Sequence, residues 1–221
     1  MRFFPAFICV CLLLLPEMAA GQVAVPPGFD DYCRDPVLNR EIRALLARAS
    51  AHGLLLKRFD NRLGEGMLKR IPCARLLQAL RLEYDRQGRA ARLLAAGRKV
   101  DREVLDLVTD FISLGLDEPV VTVLLAEYRS RKSRLHLARA GDFLARVRPA
   151  GWTAGQALPV ARIIIRQQLD KERVALALRL LQYGRELRVD KAAIVHIVSG
   201  GLAAGTSRRR MEQGLEERRP F

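Results

Sequence analysis

The chain contains few of the residues from which metal and nucleophile sites are usually built. Its 221 residues include only three histidines, His52, His136 and His196. They lie far apart and lack the His-x-x-x-His or Glu-x-x-His spacing that places ligands on one helix face. Neither a Gly-x-Ser-x-Gly elbow nor a phosphate-binding glycine loop occurs. We therefore predict no catalytic residue, no metal and no cofactor, and we expect no enzymatic activity.

Long apolar runs are also scarce, and the one at the N-terminus is short. It covers about 13 residues, 3–15, whereas a membrane-spanning helix needs roughly 20. Arg2 precedes the run, Pro16 ends it, and small residues follow at 19–21. This pattern predicts a signal peptide over residues 1–21 and export to the periplasm or the extracellular space. An uncleaved anchor is the alternative. No transmembrane span is expected in the mature chain.

Cysteine is rare as well, since two of the four cysteines lie within the predicted signal peptide. The remaining pair, Cys33 and Cys73, is too small for a four-thiolate zinc site. Exported proteins meet an oxidising environment, so a disulfide between them is expected. It would close a loop of about 40 residues, worth roughly 3–4 kcal/mol in the chain-entropy model. Two separate buried thiols are the alternative.

The alternating polarity of β-strands is absent, and leucine, alanine and arginine dominate from Pro36 onward. The predicted fold is all-α. After an extended lead-in over 22–35, we expect a single helical domain over 36–204. About nine helices form antiparallel hairpins, either stacked as in an α-solenoid or closed into a multi-helix bundle. Their predicted ranges are 36–51, 54–69, 72–96, 101–114, 118–129, 132–147, 155–168, 171–183 and 190–203.

Polar residues and glycines mark the ends of these helices. The predicted N-caps are Asp101, Asp117, Asp170 and Asp190, and Thr153 with Gln156 forms a capping box. A faint repeat is also present, in which Gly115, Gly151 and Gly184 each end an apolar helix at intervals of about 33–36 residues. This spacing suits stacked hairpins, although an ordinary bundle with short loops could produce it. His196, in a mostly apolar helix, is predicted to be buried.

Arginine provides most of the positive charge. The chain has 38 Lys and Arg against 24 Asp and Glu, a net charge of +14. Arginine pairs with carboxylates and phosphates, so an envelope protein or an anionic surface is a possible partner. Nucleic acid is not expected as a partner of an exported chain. The candidate anion- or partner-binding residues are Arg75, Arg86, Arg89, Arg129, Arg131, Lys132, Arg134, Arg208, Arg209 and Arg210. The last three lie in a basic tail, 205–221, that we predict to be disordered. A solvated basic surface without a ligand is the alternative.

One segment, Leu63 to Leu80 with the sequence LGEGMLKRIPCARLLQAL, carries a recognisable motif. Glu65-Gly66, then Lys69, then Pro72 at a helix start resembles a pattern in uncharacterised bacterial exported helical proteins. The resemblance implies a signal peptide and an all-helical body, and it carries no known activity. From the residues alone, Glu65 and Lys69 form an i,i+4 ion pair and Gly66 allows close packing.

These observations favour a non-enzymatic helical scaffold or binding module of the bacterial cell envelope. A groove lined by apolar and arginine side chains would support it. A second hypothesis is a peripheral protein that binds lipid headgroups or lipopolysaccharide through arginine patches. A hydrolase with an unconventional site ranks third. The sequence does not fix the oligomeric state.

Overall fold

The computed structural model of the chain describes residues 24–95, 101–131 and 133–220. Within these ranges the chain forms eleven α-helices and no β-strand. The helices are α1 Phe29–Tyr32, α2 Pro36–Ala51, α3 Leu56–Leu68, α4 Cys73–Leu94, α5 Arg102–Ser113, α6 Glu118–Arg131, α7 Arg134–Val147, α8 Ala154–Arg166, α9 Lys171–Glu186, α10 Lys191–Ala203 and α11 Arg208–Glu216. The all-α prediction is confirmed. The predicted signal peptide, 1–21, lies outside the described residues.

The chain divides into two compact units, and the boundary falls between Arg81 and Leu82. That boundary lies inside α4, which runs from one unit into the other. The single helical domain over 36–204 that the sequence predicts takes helices from both units, and it stays a prediction. A continuous helix carries no proline, glycine or composition change at the junction, so nothing in the sequence marks it.

The first unit contains α1 to α3 and the beginning of α4. Its core includes Phe29, Phe59 and Leu76, each no more than 2 % exposed. A Cβ at Gly66 would lie 2.7 Å from a methyl carbon of Leu76, so only glycine lets α3 and α4 approach this closely. Lys69 donates to Glu65 at 2.6 Å. The predicted packing glycine and ion pair are therefore both present.

The lead-in over 22–35 is not wholly extended, because α1 forms one helical turn within it. The Tyr32 hydroxyl, at the end of that turn, donates to the Gly66 carbonyl at 3.2 Å and also to the Ile71 carbonyl. These bonds fasten the lead-in to the turn between α3 and α4. Phe29 of α1 is buried, and this burial stabilises a helix that is too short to be stable alone.

Cys33 and Cys73 are free thiols in this structure, so the disulfide prediction is not confirmed. Cys33 is buried. Burial first, and the Cys73 side chain second, raise the pKa of Cys33 to about 12. The Cys73 thiol also lies 3.8 Å from the Tyr32 carbonyl oxygen. The two cysteines are not joined in this structure, although the Cys73 thiol lies beside the residue that precedes Cys33.

The second unit places its helices in two rows. Helices α6, α8 and α10 pack side by side in one row, and α5, α7, α9 and α11 pack side by side in the other. Helices that follow one another in the chain lie in alternate rows, and the rows contact each other through pairs such as α7 with α8 and α9 with α10. Each helix packs mainly on its neighbours in the row and on its hairpin partner, which is the pattern of stacked hairpins.

A recurring turn connects most of these helices. The first residue of the turn adopts a left-handed backbone conformation. The second, which is apolar in most of the turns, donates its backbone N–H to a carbonyl of the preceding helix, and the third leads into the next helix. In Gly115-Leu116-Asp117, for example, Leu116 N–H donates to the Phe111 carbonyl at 3.0 Å, and Leu116 is buried. The same backbone pattern begins at Gly53, Arg70, Gly151, Gln168, Arg188 and Gly205.

Arginines extend this pattern from one hairpin to the next. Arg148 at the end of α7 donates to the Leu114 carbonyl and lies against Gly115, and Arg185 on α9 lies against Gly151. A Cβ at Gly151 would be 3.1 Å from an Arg185 nitrogen. A glycine at the turn therefore provides both the backbone conformation and the space for the arginine.

Two predictions about helix ends were wrong. Gly184 lies inside α9 rather than at its end, and a Cβ there would be 2.7 Å from Ile194 of α10. Its role is close packing, which apolar periodicity alone cannot distinguish from a helix stop. The tail over 205–221, predicted to be disordered, contains α11, whose Met211 and Leu215 are buried in contact with the rows. Because α11 contains only two apolar residues, its sequence shows no clear apolar stripe.

Candidate functional site: a groove between α8 and α10

The surface of the second unit carries a groove between α8 and α10, which are neighbours in one row. A cavity of about 520 Å³ opens there. Gln156 and Pro159 of α8 line one wall, and side chains of the first three turns of α10 line the other: Lys191, Ala192, Val195, His196 and Ser199, together with Asp190. Pro159 and Val195 contribute an apolar part of this lining.

A second cavity of about 230 Å³ continues the groove toward the C-terminal ends of the two helices. It shares Pro159 and Ser199 with the first, so the two cavities form one channel, here named the α8–α10 groove. Arg162, Ile163 and Arg166 line the α8 side of the second cavity, and Ala203 lies opposite. From Gln156 to Arg166 the groove runs about 15 Å, at a rise of about 1.5 Å per helical residue.

The local sequence explains why this face of α8 is open. Val160, Ala161, Ile164 and Ile165 are all fully buried, and they hold α8 against the helices beneath it. Pro159 is at the sixth position of α8, beyond the first turn, and it lacks the N–H that would donate to the Gly155 carbonyl. The remaining positions of α8 therefore face outward, and they form the groove wall.

The end of the groove carries a carboxylate held by two arginines. Glu127 of α6 is almost buried, with 10 % of its side chain exposed. Arg166 donates to both its carboxylate oxygens, at 2.7 and 2.6 Å, and Arg162 donates Nε–H to one of them at 2.7 Å. The Arg166 hydrogen bond is the main cause that lowers the pKa of Glu127, against the opposing effect of burial. Glu127 is therefore ionised, and it fixes both guanidinium groups.

The other charged groups of the groove are partly engaged. The Asp190 carboxylate accepts hydrogen bonds from the backbone N–H groups of Ala192 and Ala193, at 2.9 and 3.2 Å. Lys191 donates to the Gly151 carbonyl at 2.9 Å and lies 5.5 Å from the Trp152 ring centroid. His196 is exposed, although we predicted it to be buried, because the buried stripe of α10 passes through Ile194, Val195 and Val198 instead.

The predicted anion-binding residues lie elsewhere. Arg75 is exposed in the first unit, and Arg86, Arg89 and Arg129 are in the second. Arg134 pairs with Glu103, and Arg208 with Glu212 at 2.6 Å. Arg209 and Arg210 are exposed in the first turn of α11. The side chains of Arg131 and Lys132 lie outside the described residues. None of the predicted residues that the structure describes lines the α8–α10 groove.

Sequence reasoning missed Arg162 and Arg166 as site residues. They flank the run Ile163–Ile165, which indicated only a buried helix turn. Their i,i+4 spacing does place both arginines on one face, and this was the available signal. Glu127, however, lies 35 residues before Arg162, and only the pairing of α6 with α8 brings it between them.

Comparison with protein-family models, with curated proteins and with solved structures finds no match for this chain. No helix in the described ranges is both long and apolar enough to cross a bilayer. Among those same residues, His, Cys, Asp and Glu nowhere gather in a group of three or more able to hold a metal ion.

Proposed function

We propose that the protein is a non-enzymatic helical binding module that holds a segment of a partner protein in the α8–α10 groove. The observation that carries the proposal is the groove itself. Its lining combines the apolar side chains of Pro159, Ile163 and Val195 with cationic side chains at the two ends. Stacked hairpins commonly present such surfaces to peptides and proteins.

Charge complementarity identifies the chemistry of the partner. The groove exposes Arg162 and Arg166 at one end and Lys191 at the other. Asp190 accepts hydrogen bonds from the backbone of α10, and the Glu127 carboxylate is almost buried between the two arginines. The chain as a whole carries a net charge of +14. A segment with apolar side chains and several Asp or Glu residues is therefore the occupant that we propose.

Two labelled amphipathic helical peptides test this proposal. Both carry leucines along one face, and the polar positions are glutamate in one peptide and lysine in the other. We expect fluorescence anisotropy to show the glutamate peptide binding at least about tenfold more tightly. Ala192→Trp, which fills the larger cavity, should weaken that binding by about the same factor. Ala175→Trp, also at an exposed alanine but on α9, is the matched control and should bind as the unmodified protein does.

The alternative hypothesis predicts a different result. A protein that binds anionic surfaces would co-sediment with phosphatidylglycerol vesicles, and this binding would fall steeply with salt. If vesicle binding depends on Arg208, Arg209 and Arg210 and is unchanged in Ala192→Trp, while neither peptide binds, the groove proposal is wrong.

We further propose that the chain is exported and that Cys33 and Cys73 become oxidised in that compartment. The Cys73 thiol lies 3.8 Å from the carbonyl oxygen of Tyr32, the residue before Cys33, and this supports the pairing. Exchange with a protein disulfide would join the two sulfurs and reduce the oxidant to two thiols. Intact mass should then show a loss of two hydrogens in protein prepared from the periplasm, and loss of residues 1–21. Two free thiols in that preparation, detected by alkylation, would contradict the disulfide.

A further inference from the structure

We infer that Arg162, Arg166 and Glu127 form a carboxylate-receiving subsite at one end of the α8–α10 groove. The partner would place a single Asp or Glu side chain there. This inference rests on the proposed function and deepens it, because it assigns the chemistry of one position in the partner.

The hydrogen bonds leave donors available for a ligand. Arg162 uses Nε–H to reach Glu127, and Arg166 uses Nε–H and one terminal nitrogen. In the described part of the chain, the two terminal nitrogens of Arg162 make no hydrogen bond to protein. The arginine side chains are 40 % and 42 % exposed, so solvent reaches them. The terminal edge of Arg162 is the planar pair of N–H groups that a carboxylate accepts in a forked geometry.

Glu127 orients the arginines. Each arginine alone would lose substantial side-chain entropy on binding a ligand. Here the almost buried carboxylate already fixes both guanidinium groups, so less of that loss occurs on binding. Glu127 thus acts as a positioning residue and not as a contact for the partner.

The charge of the cluster favours a carboxylate over a phosphate. Two arginines at +1 each and one glutamate at −1 leave these three side chains with a net charge of +1. A single carboxylate neutralises this charge, whereas a phosphate group, which carries about −1.5 to −2 at pH 7, exceeds it. An ionised acidic side chain is therefore the best match.

The groove also sets the spacing between this acidic residue and an apolar anchor. Pro159 lines the larger cavity where it meets the smaller one, and the arginines follow Pro159 by three and seven residues. On one helix, these intervals correspond to about 5–10 Å. The partner should therefore carry its Asp or Glu about one to two helical turns from the apolar side chain that fills the larger cavity.

Glu127→Gln provides the decisive experiment. Removing this negative charge makes the groove more positive, so long-range attraction alone predicts tighter binding of the glutamate peptide. The subsite instead predicts weaker binding, because the arginines lose the carboxylate that orients them. We expect affinity for the peptide to fall at least about fivefold, measured by fluorescence anisotropy. Circular dichroism and thermal melting establish that the variant is folded.

Arg162→Gln tests the contact in a second way. Changing one glutamate of the peptide to glutamine should weaken binding to the unmodified protein at least about tenfold. The same change in the peptide should make little difference to binding by the Arg162→Gln variant. Arg179→Gln, at an exposed arginine on α9, is the matched control and should leave the glutamate-to-glutamine difference intact.

The outcomes separate the two proposals. If neither peptide binds, the proposed function fails. If the glutamate peptide binds, Ala192→Trp weakens that binding and Glu127→Gln strengthens it, the groove proposal is supported and the subsite is wrong. If Arg162→Gln and Arg179→Gln reduce binding equally, the attraction is diffuse and the subsite is again wrong.

Discussion

The ring of Phe111 on α5 occupies the space that a side chain at Gly141 on α7 would need. A Cβ at Gly141 would lie well inside van der Waals contact with three ring carbons. Phe111 is 2 % exposed, so it has little room to move away. The two residues bring neighbouring helices of one row into close contact, and they show that the stack depends on particular glycines.

Gly141→Ala should therefore destabilise the protein by about 1–3 kcal/mol, since an added methyl overpacks a filled core. Gly155→Ala is the control, because a Cβ there meets nothing within 4 Å. It should be neutral or stabilise by up to about 1 kcal/mol. Urea unfolding measures both. Equal stability of the two variants would contradict the close approach.

The turns between helices support a second prediction. Arg188 and Gly115 occupy equivalent left-handed positions, with φ of 59° and 76°. Arg188→Gly should be neutral or stabilise by up to about 1 kcal/mol, because glycine has no Cβ strain there. Gly115→Ala should cost about 1–2 kcal/mol, because it adds that strain and its Cβ would lie 2.9 Å from Arg148. Urea midpoints measure both, and a loss of stability in Arg188→Gly would contradict the equivalence.

The third prediction concerns pH. The pKa of Glu127 lies below its ordinary value of 4.5, chiefly because Arg166 donates to it. A lowered folded-state pKa adds stability above the unfolded-state value and loses it as pH falls through the folded-state value. Glu127→Gln should therefore cost about 1–3 kcal/mol at pH 7. The difference from the unmodified protein should shrink below about pH 4.5.

Denaturant titrations from pH 7 to acid provide the measurement. Asp142→Asn is the comparison, because Asp142 is an exposed partner of Arg146 and should change stability little at any pH. A Glu127→Gln effect that stays constant with pH would show that the arginines do not stabilise the ionised carboxylate.

The fourth prediction tests whether the C-terminal segment is folded. Met211 of α11 is 2 % exposed and lies against Gly201 of α10. Met211→Ala should lower the free energy of unfolding by about 2–5 kcal/mol, as removal of a buried side chain does. Gln213→Ala, on the exposed side of the same helix, should have little effect. A disordered tail would make the two substitutions equally harmless.

Particular residues show how far the sequence could be interpreted. Thr153 and Gln156 were predicted to form a capping box, and both of its hydrogen bonds are present at 3.1 Å. Asp101, Asp170 and Asp190 likewise cap α5, α9 and α10. These contacts span two or three residues, so local pattern is sufficient to find them. Glu127 with Arg166 spans 39 residues and left no comparable signal.

The sequence by itself determined the all-α class, most helix limits and the turn chemistry, because those depend on propensities and hydrogen bonds within a few residues. It also fixed the surplus of arginine. Only the tertiary structure decided which arginines share a carboxylate, which glycines admit a neighbouring helix, and where the surface forms a groove. Packing between helices distant in sequence sets all three, and no local pattern specifies which faces will meet.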